Sequence, residues 1–203
     1  MAEMENHLGF WWPAGSRDEI RHLVADHAPD AQVAVDFTKQ QRVVVQAGGN
    51  VGCWPKWLAA RFAEVHTFEP EVNNFTALVR NVPETNVIKH FAALGDHHGR
   101  VGLRLSPKNL GAHRVEGEGN VPMMMVDDLK LTVCDLLILD IEGHELPALR
   151  GAAKTLARCG PVVMVEDRAL GRKDERIDAI TRWLAVRGYR QVARVHWDVV
   201  FTR

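Results

Sequence analysis

The chain has 203 residues, of which 46% are hydrophobic and 25% charged, and its formal net charge is −1. That length suits one domain with a substantial core, and the near-neutral charge gives no electrostatic case for a nucleic-acid or anionic-membrane partner. The longest uncharged apolar runs, such as 136–139, are far too short to span a bilayer, and the acidic N-terminus lacks the basic region and apolar core of a signal peptide. Ser16 and Glu19 read as a capping box, opening a helix with Ile20, Leu23, Val24 and His27 on one face. The segment AQVAVDF (31–37) alternates and reads as a short strand or hairpin arm. RVVVQA (42–47) is a continuous apolar run of the kind found in a central strand covered on both faces. Trp54, Trp57, Leu58, Arg61 and Phe62 then recur at helical spacing, with Pro55 near the helix start.

VHTFEP is the next strand, ended by Pro70, and 71–81 reads as a helix. NVIKHFAAL (86–94) is a third strand; GDHHGRVGLRL holds a turn and a further strand, and VPMMMVDDL another. CDLLILD (134–140) is again a continuous buried strand, and Leu146, Leu149, Ala153 and Leu156 make one amphipathic helix after it. PVVMVE is a strand, Ile177, Ile180, Trp183 and Leu184 mark a helix, and YRQVARV with DVVFT form a closing antiparallel pair. Strands alternating with helices predict an α/β fold with a doubly wound, mostly parallel sheet and a C-terminal antiparallel strand pair. Residues 1–203 form one domain: 1–41 an N-terminal helix and cap segment, 42–203 the core. Cys53, Cys134 and Cys159 are odd in number and form no CxxC pair, as expected of reduced thiols in a cytoplasmic protein.

VVVQAGGNVG (43–52) sits at the first strand–turn–helix of that sheet. Gly48 and Gly49 let the backbone turn, Gly52 lets the helix approach the strand, and exposed N–H groups offer a ligand floor at the carboxyl edge. A ligand-free βα turn satisfies the same glycines. Glu69 ends the next strand, 21 positions after Gly48, where a carboxylate accepts hydrogen bonds from both ribose hydroxyls. The competing reading makes it an acid favoured by the following helix dipole. Together the two features point to an adenosine-containing cofactor. A nicotinamide dinucleotide and S-adenosylmethionine both fit that geometry. The only tyrosine, Tyr189, has no lysine four residues on, which disfavours an NAD(P)-dependent reductase. The closing antiparallel pair matches S-adenosylmethionine-dependent methyltransferases.

With VVVQAGGNVG, VHTFEPEVNNFTALVRN, AALGDHHGRVGL, VPMMMVDDL and LLILDIEGHELPALRGA in this order over about 43–166, the chain resembles the FkbM family of methyltransferases. VQAGGNVG, NLGAHRV and LDIEGHE resemble a smaller, phage-associated branch of it. The resemblance implies a class I Rossmann-like fold and methyl transfer from S-adenosylmethionine, usually to an oxygen of a sugar or related hydroxyl. On the matching motifs it implies cofactor binding by Gln46, Gly48, Gly49, Asn50, Gly52, Glu69, Pro70, Asp96 and Asp140. The acceptor is a small molecule or glycan, with no nucleic-acid or membrane partner expected. Two positions depart from the family pattern. Gln46 stands where the glycine motif usually begins with an acid, and Ile138 stands where a lysine often precedes the motif aspartate by two. They keep open a catalytically silent S-adenosylmethionine-binding module.

LDIEGHE places Asp140, Glu142, His144 and Glu145 at a carboxyl strand end, the edge where open α/β sheets bind ligands. Asp140 is placed for three alternative roles: contacting the methionine end of the cofactor, orienting the acceptor hydroxyl, or binding a metal. Glu142 is a catalytic candidate, and His144 is the candidate general base. A bland alternative leaves Glu142 and Glu145 as acids at a helix N-terminus and His144 in solvent. Glu166 and Asp167 end the next strand; if the two strand ends converge, they make with Asp140 an oxygen-donor set suited to Mg²⁺, while the favoured alternative is a solvated strand-end pair. Asn109, His113 and Arg114 lie in a loop of a kind that commonly covers an active site, and are candidates for substrate binding. The aromatics of GFWWP (9–13) and Trp54 either stack on a sugar or close a core edge.

Overall fold

The computed structural model describes residues 3–106, 109, 111–167 and 175–203. It begins with a hairpin that the sequence pattern does not announce, β1 (Met4–His7) against β2 (Phe10–Pro13). Leu8 and Gly9 both take positive φ, 55° and 78°, as a two-residue hairpin turn requires. Trp12 is fully buried, and its indole N–H donates to His7 O at 3.1 Å. The Asn81 amide holds both the N–H and the carbonyl of Trp11. GFWWP therefore closes a core edge.

Helix α1 (Asp18–His27) starts after Arg17 without a side-chain cap bond. Ser16 gives its hydroxyl to Pro13 O at 2.6 Å instead of to the helix, so the expected capping box fails on the serine side. The side chains of Glu19, Ile20, Leu23 and Val24 lie outside the described residues. A 3-10 turn, Ala28–Asp30, leads into α2 (Ala31–Val35). The expected strand over 31–37 is thus a helix. Ala31, Ala34 and Val35 are buried together, at i, i+3 and i+4. Alternation over so few residues does not separate the two periods.

The next elements follow the sequence pattern: β3 (Val43–Ala47), α3 (Cys53–Ala59), β4 (Glu64–Phe68), α4 (Val72–Asn81) and β5 (Val87–His90). The expected strand 86–94 breaks after His90. β6 (Ala93–Leu94), β7 (Gly99–Val101), β8 (Leu103–Arg104), β9 (Arg114–Val115) and β10 (Val121–Met124) lie outside the main sheet. There β6, β10 and β7 form one small sheet, and β8 pairs with β9.

The chain returns through β11 (Leu136–Leu139), α5 (Glu145–Arg150), α6 (Ala153–Cys159), β12 (Val162–Glu166), α7 (Glu175–Ala185), β13 (Arg190–Val195) and β14 (Asp198–Thr202). The single helix expected from Leu146 to Leu156 is two. At the break the Gly151 backbone packs on Gly95, where an added Cβ would lie 1.9 Å from the Gly95 carbonyl oxygen. Asp127 then caps α6, accepting from Lys154 N–H at 3.0 Å and Thr155 N–H at 2.8 Å.

The main sheet runs β13-β14-β12-β11-β3-β4-β5. The strands from β5 to β12 are parallel, and β14 is antiparallel to both of its neighbours. Successive side chains pack on opposite faces. Val44, Leu136 and Ile138 join Ala34, Leu58 and Leu78 in one core. Val45, Leu137 and Leu139 join Leu149, Leu156 and Leu184 in the other. The fold is the doubly wound α/β fold with a C-terminal antiparallel pair. All five parallel strands present their carboxyl ends at one edge, and the candidate site lies there.

Candidate active site

Gly48 turns the chain out of β3 with φ +88°. An added Cβ would lie 2.0 Å from the Asp140 carbonyl oxygen, so glycine is required where the ends of β3 and β11 meet. The N–H groups of Gly48 and Gly49 both donate to Phe68 O, at 3.1 and 2.9 Å. Gly52 precedes α3 and lets it close on α4, since a Cβ there would come within 2.5 Å of Val82 Cγ2. Gln46 is buried beneath this turn. Its Nε2 donates to Ala47 O at 3.2 Å and Gly48 O at 2.9 Å, and its Oε1 accepts from Thr67 Oγ1 at 2.6 Å. A carboxylate could not make the two donations. The amide therefore braces the turn from behind, and Gln46 does not line the cleft.

The cleft above the sheet edge encloses about 1130 Å³, including its open mouth. Asn50, Glu69 and Pro70 line one end, beside an apolar wall of Phe68 and Ala92–Leu94, and Gly48 lies in the middle, against the backbone of Asp140. Glu69 is buried, and each carboxylate oxygen accepts one backbone N–H: Oε2 from Asn50 and Oε1 from Glu71, both at 2.8 Å. The Asn74 side chain also hydrogen-bonds the carboxylate, so three of its four lone-pair sites are taken. Burial pushes the Glu69 carboxyl up to about 7, against the pull of the Glu71 and Asn50 N–H groups. The task of capping α4 falls to Glu71, which accepts from Asn73 N–H at 2.9 Å and Asn74 N–H at 2.8 Å. Glu69 is thus the acid that faces the cleft.

At the other end, β11 delivers Asp140, and the loop after it delivers Glu142 and His144. Glu142 is buried at φ +59°, with Arg114 Nη2 at 3.8 Å from its Oε2. Glu145 holds that loop through Oε1, which accepts from Gly143 N–H at 3.0 Å and Ile141 N–H at 3.2 Å. His144 lines the cleft, and its Nε2 is buried with no hydrogen-bond partner among the described residues. Burial holds its imidazole below the usual value, against the pull of Asp96 and with His97 adding to the fall. Asn109 and His113 close the cleft from the loop side. His113 accepts Ser106 N–H through Nδ1 at 3.0 Å, and burial lowers its pKa.

The expected metal set changes. Ligand oxygens of Asp140, Glu142 and Glu166 all lie within 4.8 Å of one another, while Asp167 is not among them. Asp167 ion-pairs with Arg194 and gives its own N–H to Trp197 O. Strand alternation explains the exchange: Glu166 and Asp167 point to opposite faces. Asp96 also lies off the cleft lining, with its carboxylate on His97 Nδ1 at 2.7 Å. Arg114 reaches the site only through Glu142. The cleft adds residues that sequence spacing missed: His27, Asn74, Trp197 and Asp198. Trp54 lines it too. Asp198 stands opposite Glu166 in the β12–β14 register, a relation that only the antiparallel pairing creates. Burial pushes its carboxyl up to about 8, with Glu166 and Asp30 adding to the rise.

The methyltransferase FkbM domain family matches residues 46–191, most of the chain. The protein belongs to the FkbM methyltransferase family. A search of curated proteins finds no match. Among solved structures, an FkbM methyltransferase from Methylobacillus flagellatus KT is similar at TM-score 0.60 and 19% identity. The match covers 81% of this chain and 44% of that one, so this FkbM chain spans less than half that protein's length. An RNA methyltransferase, so described, from Pyrococcus horikoshii matches at TM-score 0.53 and 13% identity, covering 89% and 81% of the two chains. Precorrin-6y C5,15-methyltransferase from Geobacter metallireducens GS-15 matches at 0.52 and 14%, covering 84% and 83%. These likenesses show the class I methyltransferase fold. Both departures from the FkbM pattern fall inside the sheet. Gln46 and Ile138 are register partners on neighbouring strands, both buried, and neither side chain lines the cleft.

Proposed function

We propose that the protein is an S-adenosylmethionine-dependent methyltransferase that methylates an oxygen of a sugar or other hydroxyl acceptor. The observation that carries this reading is a single cleft lined by Glu69 towards one end and by His144, its Nε2 without a partner among the described residues, towards the other. The residues present fit the cofactor. Glu69 keeps acceptor capacity for a ribose hydroxyl beyond its bonds from Asn50, Glu71 and Asn74, and Phe68 with Ala92–Leu94 offers an apolar face for the adenine. Bound there, S-adenosylmethionine supplies a methyl group already activated on a sulfonium. Asn109 and His113 orient the acceptor, and the apolar wall keeps water out. Asp140 holds the acceptor hydroxyl towards His144, whose Nε2 takes its proton.

Asp140, Glu142 and Glu166 are the oxygen donors that would hold Mg²⁺ in a metal-assisted version of this reading. The acceptor in this reading is a small molecule or glycan met in the cytoplasm, with neither nucleic acid nor membrane as partner. No helix among the described residues is long and apolar enough to cross a membrane. Calorimetric titration with S-adenosylhomocysteine, with NAD⁺ and NADP⁺ as controls, tests the cofactor assignment. The expected result is binding of S-adenosylhomocysteine alone, weakened by Glu69→Ala. Binding of a nicotinamide cofactor instead would overturn it.

A further inference from the structure

His27, Asp30 and His196 come from two pieces of chain: the junction of α1 with the 3-10 turn after it, and the β13–β14 turn. Asp30 and His196 are 166 positions apart, yet His196 Nδ1 lies 2.7 Å from Asp30 Oδ2. The His27 ring stacks on the His196 ring, with centroids 5.4 Å apart and planes 19° from parallel. One ligand atom from each residue lies within 4.8 Å of the other two. A His–Asp ion pair needs only one imidazole.

We propose that His27, Asp30 and His196 form a binding site for a divalent transition metal of the zinc class. Two imidazole nitrogens and one carboxylate oxygen suit Zn²⁺, Co²⁺ or Ni²⁺ and disfavour the all-oxygen ions Mg²⁺ and Ca²⁺. Three protein ligands leave one position for water or an exogenous ligand. His27 and Trp197 line the cleft, and their rings meet edge to face at 4.9 Å, so the site adjoins the cleft. The bound ion also ties the N-terminal segment to the last hairpin, so it stabilises the folded chain by mass action.

The test uses tag-free full-length protein, treated with chelator and then titrated with Zn²⁺ by calorimetry, with thermal unfolding in parallel. His196 is exposed on a turn, so His196→Ala keeps the fold, checked by an unchanged Tm in chelator. The expected result is one Zn²⁺ per chain and a raised Tm, both lost in His196→Ala and His27→Gln and both kept in Asp140→Asn. Co²⁺ in place of Zn²⁺ gives the visible absorption of a low-coordinate nitrogen–oxygen site. No stoichiometric binding by the unaltered protein, or binding that survives His196→Ala, overturns the proposal. So does binding lost with Asp140→Asn, which assigns the ion to the carboxylates at the strand ends. None of these readouts depends on S-adenosylhomocysteine, so the outcome is independent of the proposed methyl transfer.

Discussion

The two ends of the cleft are built on opposite plans. At the glycine end, polar groups already serve the backbone: Gln46 holds Ala47 and Gly48 carbonyls, and Glu69 takes the Asn50 and Glu71 N–H groups. Its shape is fixed before any ligand arrives. At the far end, Asp140, Glu142, Glu166 and Asp198 gather with His144 and its buried Nε2. In the proposed reading, cofactor recognition and acceptor chemistry occupy separate parts of one groove.

Substitutions can break that contrast. The largest expected effect is Gly48→Ala, because a side chain there meets both a positive φ and the Asp140 carbonyl. Strain and overpacking together cost about 3 kcal/mol or more, read by urea unfolding. Gln46→Glu restores the family's acid in near-isosteric form but turns a donor into an acceptor facing two carbonyls. It is expected to lose about 2–3 kcal/mol in the same measurement. A stable Gln46→Glu protein would show that the amide does not brace the turn.

Glu69→Gln sharpens the contrast through pH. Burial raises the folded-state pKa of Glu69 from 4.5 to about 7, so the folded chain holds that proton more tightly than the unfolded one. The group therefore contributes stability that is fully present below about pH 4.5 and lost as pH rises through about 7. Tm scans across that window should show a shallower decline in the variant, and S-adenosylhomocysteine affinity should fall about tenfold. The smallest effect belongs to the far end. His144→Gln should change stability by less than about 0.5 kcal/mol and leave S-adenosylhomocysteine affinity intact. A large stability loss there would mean His144 is a packing residue.

The glycine end was legible in the sequence because its signals are local. The apolar runs of β3, β11 and β12 mark strands buried on both faces, and the 48-to-69 spacing places the acid. The far end was legible only in part. Asp140 and Glu166 follow from strand ends, but Glu142 in place of Asp167 depends on which face each residue takes. Trp197 and Asp198 join the site through antiparallel pairing with β12, which no spacing encodes. The segment 31–37 misled because alternation over a few residues fits Ala31, Ala34 and Val35 on a helix equally well. The N-terminal hairpin hid behind aromatics that are equally at home in a binding groove.

The central claim is that Glu69 and His144 bracket one cofactor-and-acceptor groove. A crystal structure of the protein with S-adenosylhomocysteine tests it most directly. The account predicts ribose hydroxyls on the Glu69 carboxylate, adenine against Phe68 and Ala92–Leu94, and the sulfur directed towards Asp140 and His144. A ligand bound away from Glu69, or with its sulfur turned from the His144 end, would contradict it.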